Sequence, residues 1–192
     1  MINTPCIIFA GGKSSRMGED KALLPFDGFS TLAEYQLSKL SKIFTNVYIS
    51  CDTKKKFQFS ANFIEDTNSS NISAPTFGFL AIFETLQVEK FFVLSVDAPF
   101  VDEETIKQLI NQDTPLHDAT IAQTQKGLQP LCGVYHRSLE KKFLEMKATN
   151  RHKLNFLLKN ANTNALHFDN ENIFMNLNNP KEYQQALKLL HY

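Results

Sequence analysis

Short unbroken runs of apolar residues, separated by segments with helical spacing, restrict the fold of this chain more than any other feature. Pro5 to Ala10 (PCIIFA) has no polar alternation, so it reads as a strand covered on both faces. Ala33, Leu37, Leu40 and Phe44 then mark one stripe of a helix, and Val47 to Cys51 (VYISC) reads as a second strand. Phe63 and Ile64 suggest a short third strand. Phe77 to Leu86 is apolar nearly all round, as in a deeply buried helix. Phe91 to Val96 (FFVLSV) is the clearest strand, and Asp102 can cap a helix carrying Ile106, Leu109 and Ile110. Ala119 to Ala122 and Leu131 to Tyr135 follow as strands, and Leu139 to Met146 and Lys153 to Leu158 as helices. Ala165 to Phe168 and Ile173 to Met175 carry weak strand signals. The last helix has Asn179 as its cap, Pro180 in its first turn and Glu182 where a capping box places a carboxylate. The alternation predicts an α/β fold: a single Rossmann-like three-layer sandwich around a mostly parallel, mixed central sheet, one domain over residues 1–192. In such folds ligands bind beyond the carboxyl ends of the strands, so the residues just after each strand are the ones to inspect.

Composition narrows the function classes. Apolar residues make up 43% of the 192, with 17 Phe, enough for one sizeable core and too many for a disordered chain. Twenty Lys and Arg balance 20 Asp and Glu, so bulk attraction to nucleic acid or to an anionic membrane is excluded and any anion site must be local. The three arginines are Arg16, Arg137 and Arg151. Cys6, Cys51 and Cys132 show no metal-ligand or C-x-x-C spacing and lie in apolar runs, so they read as buried reduced thiols. The start of the chain has no charged region ahead of a long apolar stretch, and no apolar run approaches the ~18 residues of a membrane span. A soluble, cytoplasmic protein is expected. Lys54-Lys55-Lys56 and Lys141-Lys142 read as solvated faces.

The densest chemistry follows the first strand: Gly11-Gly12-Lys13-Ser14-Ser15-Arg16-Met17-Gly18-Glu19-Asp20-Lys21. Glycine lets the main chain adopt positive φ and approach a ligand, and successive N–H groups in such a loop form an anion-binding concavity. Lys13, Arg16 and Lys21 add charge, and Arg16 can grip phosphate oxygens with two N–H groups. The target is a polyphosphate; a solvated Gly/Ser turn is the alternative. A Walker A loop is excluded because the position five residues before Gly12 is Ile7, and a dinucleotide fingerprint because the glycines are adjacent.

Phe9-Ala10-Gly11-Gly12-Lys13-Ser14-Ser15-Arg16-Met17-Gly18, followed by Asp20-Lys21-Ala22-Leu23-Leu24, closely resembles the signature of nucleotidyltransferases of the molybdenum cofactor guanylyltransferase (MobA) type. Further segments agree in order: Ile64-Glu65-Asp66, Ser95-Val96-Asp97-Ala98-Pro99-Phe100, Gln129-Pro130-Leu131 to Tyr135, and Phe174 to Pro180 with its N-x-N-x-P pattern. Three places depart from the family. Its G-P-L-A-G loop, which lies near base and ribose, is Ala74-Pro75-Thr76-Phe77-Gly78 here. Its Asn after the second strand falls at Asp52, and the Thr of its N-T-P segment is Asn179.

The resemblance implies transfer of GMP from GTP to the terminal phosphate of molybdopterin, with release of pyrophosphate. Phe9, Ala10, Gly11, Gly12, Lys21, Asp52, Asp66, Gly78 and Asp97 would bind the nucleotide, and Asn176 and Asn178, alternate residues of one extended strip, the pterin. Arg16, Lys21 and Asp97 would be catalytic, with Mg²⁺ on Asp97, since this hard ion takes few carboxylates and keeps substrate oxygens as its other ligands. Turn-forming roles stay open for Asp66, Asp97 and the two asparagines. A phosphate nucleophile, with a second pKa near ~6, needs no general base, in keeping with the lack of a nucleophile–His constellation. Ala10-Gly11-Gly12, rather than Ala-Ala-Gly, goes with guanine in these enzymes. A cytidylyltransferase for the same pterin, a sugar-phosphate nucleotidyltransferase and a nucleotide-binding regulator without turnover are the competing readings. A monomer is expected, with acceptor molybdoenzymes or other cofactor-biosynthesis proteins as candidate partners, although nothing in the residues sets the oligomeric state.

Overall fold

A computed structural model describes residues 1–12, 17–66 and 74–190. Among these, seven strands form one sheet: β1 (Cys6–Phe9), β2 (Val47–Cys51), β3 (Asn62–Glu65), β4 (Lys90–Ser95), β5 (Ala119–Thr124), β6 (Gly127–His136) and β7 (Thr163–His167). Six α-helices accompany them: α1 (Leu32–Leu40), α2 (Pro75–Thr85), α3 (Glu103–Asn111), α4 (Glu140–Ala148), α5 (Leu154–Lys159) and α6 (Pro180–Leu189).

The strand order is β3-β2-β1-β4-β6-β5-β7. β3, β2, β1 and β4 are mutually parallel, and β6 runs antiparallel to both β4 and β5. The reversal has a local cause: only Gln125 and Lys126 separate β5 from β6, a connection too short for a parallel crossover. From β1 the chain steps outward through β2 to β3, then returns to the opposite side of β1 as β4. The carboxyl ends of β1 and β4 therefore flank the switch point of the sheet, where open α/β folds bind ligands.

Both faces of the sheet are covered. Alternate β1 residues divide between two cores: Cys6 and Ile8 join the side packed with α1, α3 and α6, and Ile7 and Phe9 join the side packed with α2, α4 and α5. Aromatic packing dominates the second core, where the Phe79 ring of α2 stacks at 4.4 Å on Phe143 and lies 4.5 Å from Tyr135. Cys6, Cys51 and Cys132 are buried free thiols. No helix among the described residues is long and apolar enough to cross a membrane.

Three expectations change. Glu171–Phe174 is a turn of 3-10 helix, so the predicted strand at Ile173–Met175 is absent. Three apolar residues cannot separate a strand from a helical turn by periodicity alone. Pro75 to Gly78 form the first turn of α2 instead of a loop, with Pro75 supplying the φ that a helix start needs. Asn179 caps α6 as expected, accepting from Lys181 N and Glu182 N, but Glu182 Oε2 reaches one residue further back, accepting from Asn178 N–H at 2.7 Å.

Candidate active site

At the end of β1, Ala10 N–H donates to Ser50 O of β2, and Val96 N–H donates to Phe9 O, fixing the exit of the strand between its neighbours. Gly11 and Gly12 follow, exposed, with Gly12 at φ +132°, a conformation that side chains oppose. Arg16 lies outside the described residues, as do Lys13, Ser14 and Ser15. The chain is next anchored at Asp20, whose Oδ1 accepts from Ala22 N–H at 3.0 Å and caps a 3-10 turn over Lys21–Leu23.

That turn aims Lys21 at β4. Its Nζ lies 2.7 Å from Asp97 Oδ2 and donates to Asn178 Oδ1 at 3.0 Å. Both partners of the ion pair are largely enclosed, each side chain being 16% exposed. Ser95 Oγ donates to Asp97 Oδ1 at 2.6 Å, and Leu177 N–H donates to the Asp97 carbonyl at 2.9 Å. The segment before α6 is thereby tied to the end of β4. Asn176 and Asn178 flank buried Leu177 and line one cavity together, as their alternation predicts.

Two cavities share Ser95 and Asp97 in their walls. The smaller, about 110 Å³, is bordered by Ala10, Gly11, Gly12, Asp20 and Lys21. The larger, about 410 Å³, is bordered by Gln129, Cys132, Lys153, Asn155, Asn176 and Asn178, among others. The first sequence signature and the N-x-N segment thus face different hollows, with the Lys21–Asp97 pair between them. Phe9 borders the smaller hollow, but its ring packs on Phe79 in the core.

Asp66 lies beside both Gly11 and Gly78. A Cβ on Gly11 would stand 3.8 Å from Asp66 Oδ2 and 3.7 Å from Asp52 N, in ordinary contact. A Cβ on Gly78 would stand 2.8 Å from the Phe9 ring and 2.9 Å from Ser50 Oγ, so only glycine fits there. Burial pushes the Asp66 carboxyl up to about 6, against the opposing pull of the Ser50 hydroxyl 3.4 Å away. Asp52 is different: its side chain is 65% exposed, and against some desolvation the Lys56 ammonium at 2.7 Å holds it below its ordinary value.

Lys56 contradicts the solvated-face reading of its lysine run. Its side chain is 12% exposed, and its Nζ donates to Ala10 O, Asp20 Oδ2 and Asp52 Oδ1. Sequence reasoning also missed Gln36 and Lys39 of α1. Gln36 is fully buried, and its Nε2 lies 3.1 to 3.4 Å from the carbonyls of Ser95, Val96 and Ala98. Lys39 Nζ donates to Pro99 O at 2.6 Å, and burial lowers its pKa to about 8 despite the raising field of Asp102. The two side chains brace the turn carrying Asp97. Gln36 had a visible signal: it sits at helix spacing from Ala33 and Leu40, so a polar group on the core face needed partners.

A cation paired with a carboxylate between two hollows, beside a glycine turn, suits an anionic ligand and a hard metal ion. Comparisons with known proteins identify a family. The model of the MobA-like NTP transferase domain matches residues 6–165. A molybdenum cofactor guanylyltransferase of Campylobacter jejuni subsp. doylei is 37% identical over 180 residues, 94% of this chain and 93% of that protein. One from Helicobacter pylori is 35% identical over 193 residues, 98% of this chain and 94% of that protein. Among solved structures, molybdopterin-guanine dinucleotide biosynthesis protein A of Archaeoglobus fulgidus superposes with a TM-score of 0.83 over 98% of this chain and 99% of that one, at 22% identity, and shares the fold.

Proposed function

The chain belongs to the MobA-like NTP transferase family, and from that premise we propose that it transfers GMP from GTP to the terminal phosphate of molybdopterin, releasing pyrophosphate and forming molybdopterin guanine dinucleotide. The observation that carries this reading is the position of Asp97, paired with Lys21 and shared by two hollows. The smaller hollow takes the triphosphate and the larger takes the pterin, so the two phosphates meet at Asp97. The relatives named for guanylyl transfer give the cytidylyl, sugar-phosphate and regulator readings no comparable support.

The chemistry asks for alignment and charge neutralisation more than for proton transfer. The attacking phosphate is mostly ionised at neutral pH, with a second pKa near ~6, so it needs no base. The turn at Gly11 and Gly12 offers backbone N–H groups to phosphate oxygens. Lys21 sets a positive charge beside the α-phosphate and stabilises the charge that builds up as pyrophosphate leaves. Arg16 adds a second cation from the same loop. Asn176 and Asn178 orient the pterin, and Asn178 also holds Lys21. Asp66 and Asp52, beside Gly11, face the nucleoside; the room left by the absent Gly11 methyl favours guanine.

The residues fit a magnesium ion. Asp97 offers a carboxylate in the walls of both hollows. Mg²⁺ is bound in this way, by one or two carboxylates with substrate phosphates and water. When present it would supply charge neutralisation between the two reacting phosphates. Three buried free thiols support a reducing, cytoplasmic setting, and we take the working unit to be the monomer.

The test is pyrophosphate release by the purified protein with molybdopterin, Mg²⁺ and competing GTP and CTP. GTP-dependent formation of the dinucleotide is expected. Preference for CTP, or release only with a sugar phosphate, contradicts the reading.

A further inference from the structure

Lys56 lies outside every motif above, yet three segments of the site converge on it. Its ammonium reaches Ala10 O at 3.1 Å, Asp20 Oδ2 at 2.8 Å and Asp52 Oδ1 at 2.7 Å. An ammonium has three donors, and here three acceptors take them. Ala10 immediately precedes the Gly11-Gly12 turn, and Asp20 immediately precedes Lys21. One side chain therefore grips both ends of the loop that carries the first signature. Its own base is held firmly. Thr53 Oγ1 accepts from Lys55 N–H, Glu65 Oε1 accepts from Lys54 N–H, and the Phe57 ring that follows is stacked on Phe63 at 5.3 Å.

We infer that Lys56 is a positioning residue for nucleotide binding: it sets the separation of the two loop ends so that the glycine turn and Lys21 address one triphosphate together. The inference rests on the proposed function. Its physical basis is preorganisation, since two loop ends already held at their binding separation lose less freedom when the ligand arrives. Lys56 also places a positive charge among Asp20, Asp52 and Asp66, carboxylates that would otherwise face a polyanionic substrate with less compensation.

Steady-state kinetics of Lys56→Met, Lys56→Arg and Asp20→Asn test it, with GTP and molybdopterin varied separately and melting temperature recorded. Asp20→Asn keeps an oxygen to cap Ala22 N–H and removes the ion pair. Both Lys56→Met and Asp20→Asn are expected to raise the KM for GTP roughly tenfold, the size of one lost charge-assisted hydrogen bond, with kcat falling less and the KM for molybdopterin unchanged. The double variant should be no worse than the worse single one, and Lys56→Arg should recover part of the loss. A GTP KM within about twofold of wild type in Asp20→Asn and in every folded Lys56 variant, with only the melting temperature lowered, overturns the inference and leaves Lys56 a structural strut. Should Lys56→Met fail to fold, Asp20→Asn and Lys56→Arg decide the matter. A wild-type protein without GTP-dependent transfer overturns the functional reading, and this inference with it, before any variant is compared.

Discussion

Lys21 and Asp97 are 76 positions apart and meet in a 2.7 Å ion pair where the walls of two cavities coincide. The pair is made by the switch in strand order that places β4 beside β1. A capped turn after β1 delivers the cation, and the end of β4 delivers the carboxylate. Neither partner is anchored by the other alone: Asp20 caps the turn bearing Lys21, while Ser95 and Leu177 hold Asp97 and Gln36 braces the carbonyls of Val96 and Ala98 on either side of it.

Asp97→Ala is expected to remove Mg²⁺-dependent transfer, with turnover reduced by at least ~10²-fold, as is usual when a transition-state electrostatic group is lost. The check is the rate of pyrophosphate release across a magnesium titration. Undiminished Mg²⁺-dependent transfer would show that the metal is held elsewhere.

Lys21→Ala is expected to lower kcat by at least ~10²-fold, because the proposed reaction sets this ammonium beside the charge that develops on the triphosphate. It also leaves Asp97 without this cation, so the melting temperature should drop slightly. Single-turnover measurements separate the two effects, and an unchanged chemical rate would take Lys21 out of the site.

Gly11 and Gly78 should respond to alanine in opposite ways. Gly78→Ala drives a methyl to within 2.8 Å of Phe9 and 2.9 Å of Ser50 in a packed helix start, at a cost of about 1–3 kcal/mol of stability. Gly11→Ala meets nothing closer than 3.7 Å and should fold normally. Its methyl would occupy the crevice, weaken GTP binding and shift the preference toward CTP. Thermal melts and a GTP/CTP competition assay check both; a normal GTP/CTP ratio in Gly11→Ala would break the link between this position and base choice.

Asp66 should make stability depend on pH. Burial raises its folded-state value from 3.8 to about 6, so the unfolded chain loses the proton first as pH rises. Its contribution therefore becomes less favourable between about pH 4 and pH 6 and stays constant above. Asp66→Asn is expected to stabilise the protein above pH 6 by about 1–2 kcal/mol after solvent screening, and to converge on wild type below pH 4. Denaturant melts at several pH values measure this, and a difference independent of pH would contradict the buried-carboxylate account.

Much of the fold was visible in the residues because the determining forces are local. β2 falls on the predicted Val47–Cys51, and the caps at Asp102 and Asn179 bond as their side chains suggest. The Gly11-Gly12 turn and Asp97 stand out because each follows an apolar run. Lys56 did not stand out, since a lysine run looks solvated until its acceptors, 36 and 46 positions away, are brought to it. The turn over Glu171–Phe174 was misread for want of length. Gln36 was the opposite case, a polar residue inside an apolar stripe whose spacing already asked for partners.

Crystals grown with Mg²⁺ and a non-hydrolysable GTP analogue would show all these roles at once. The triphosphate is expected on the backbone of Gly11 and Gly12 with Lys21 beside it, and the metal between it and the Asp97 carboxylate. A nucleotide seated away from this crevice, or a metal that leaves Asp97 paired only with Lys21, would contradict this arrangement.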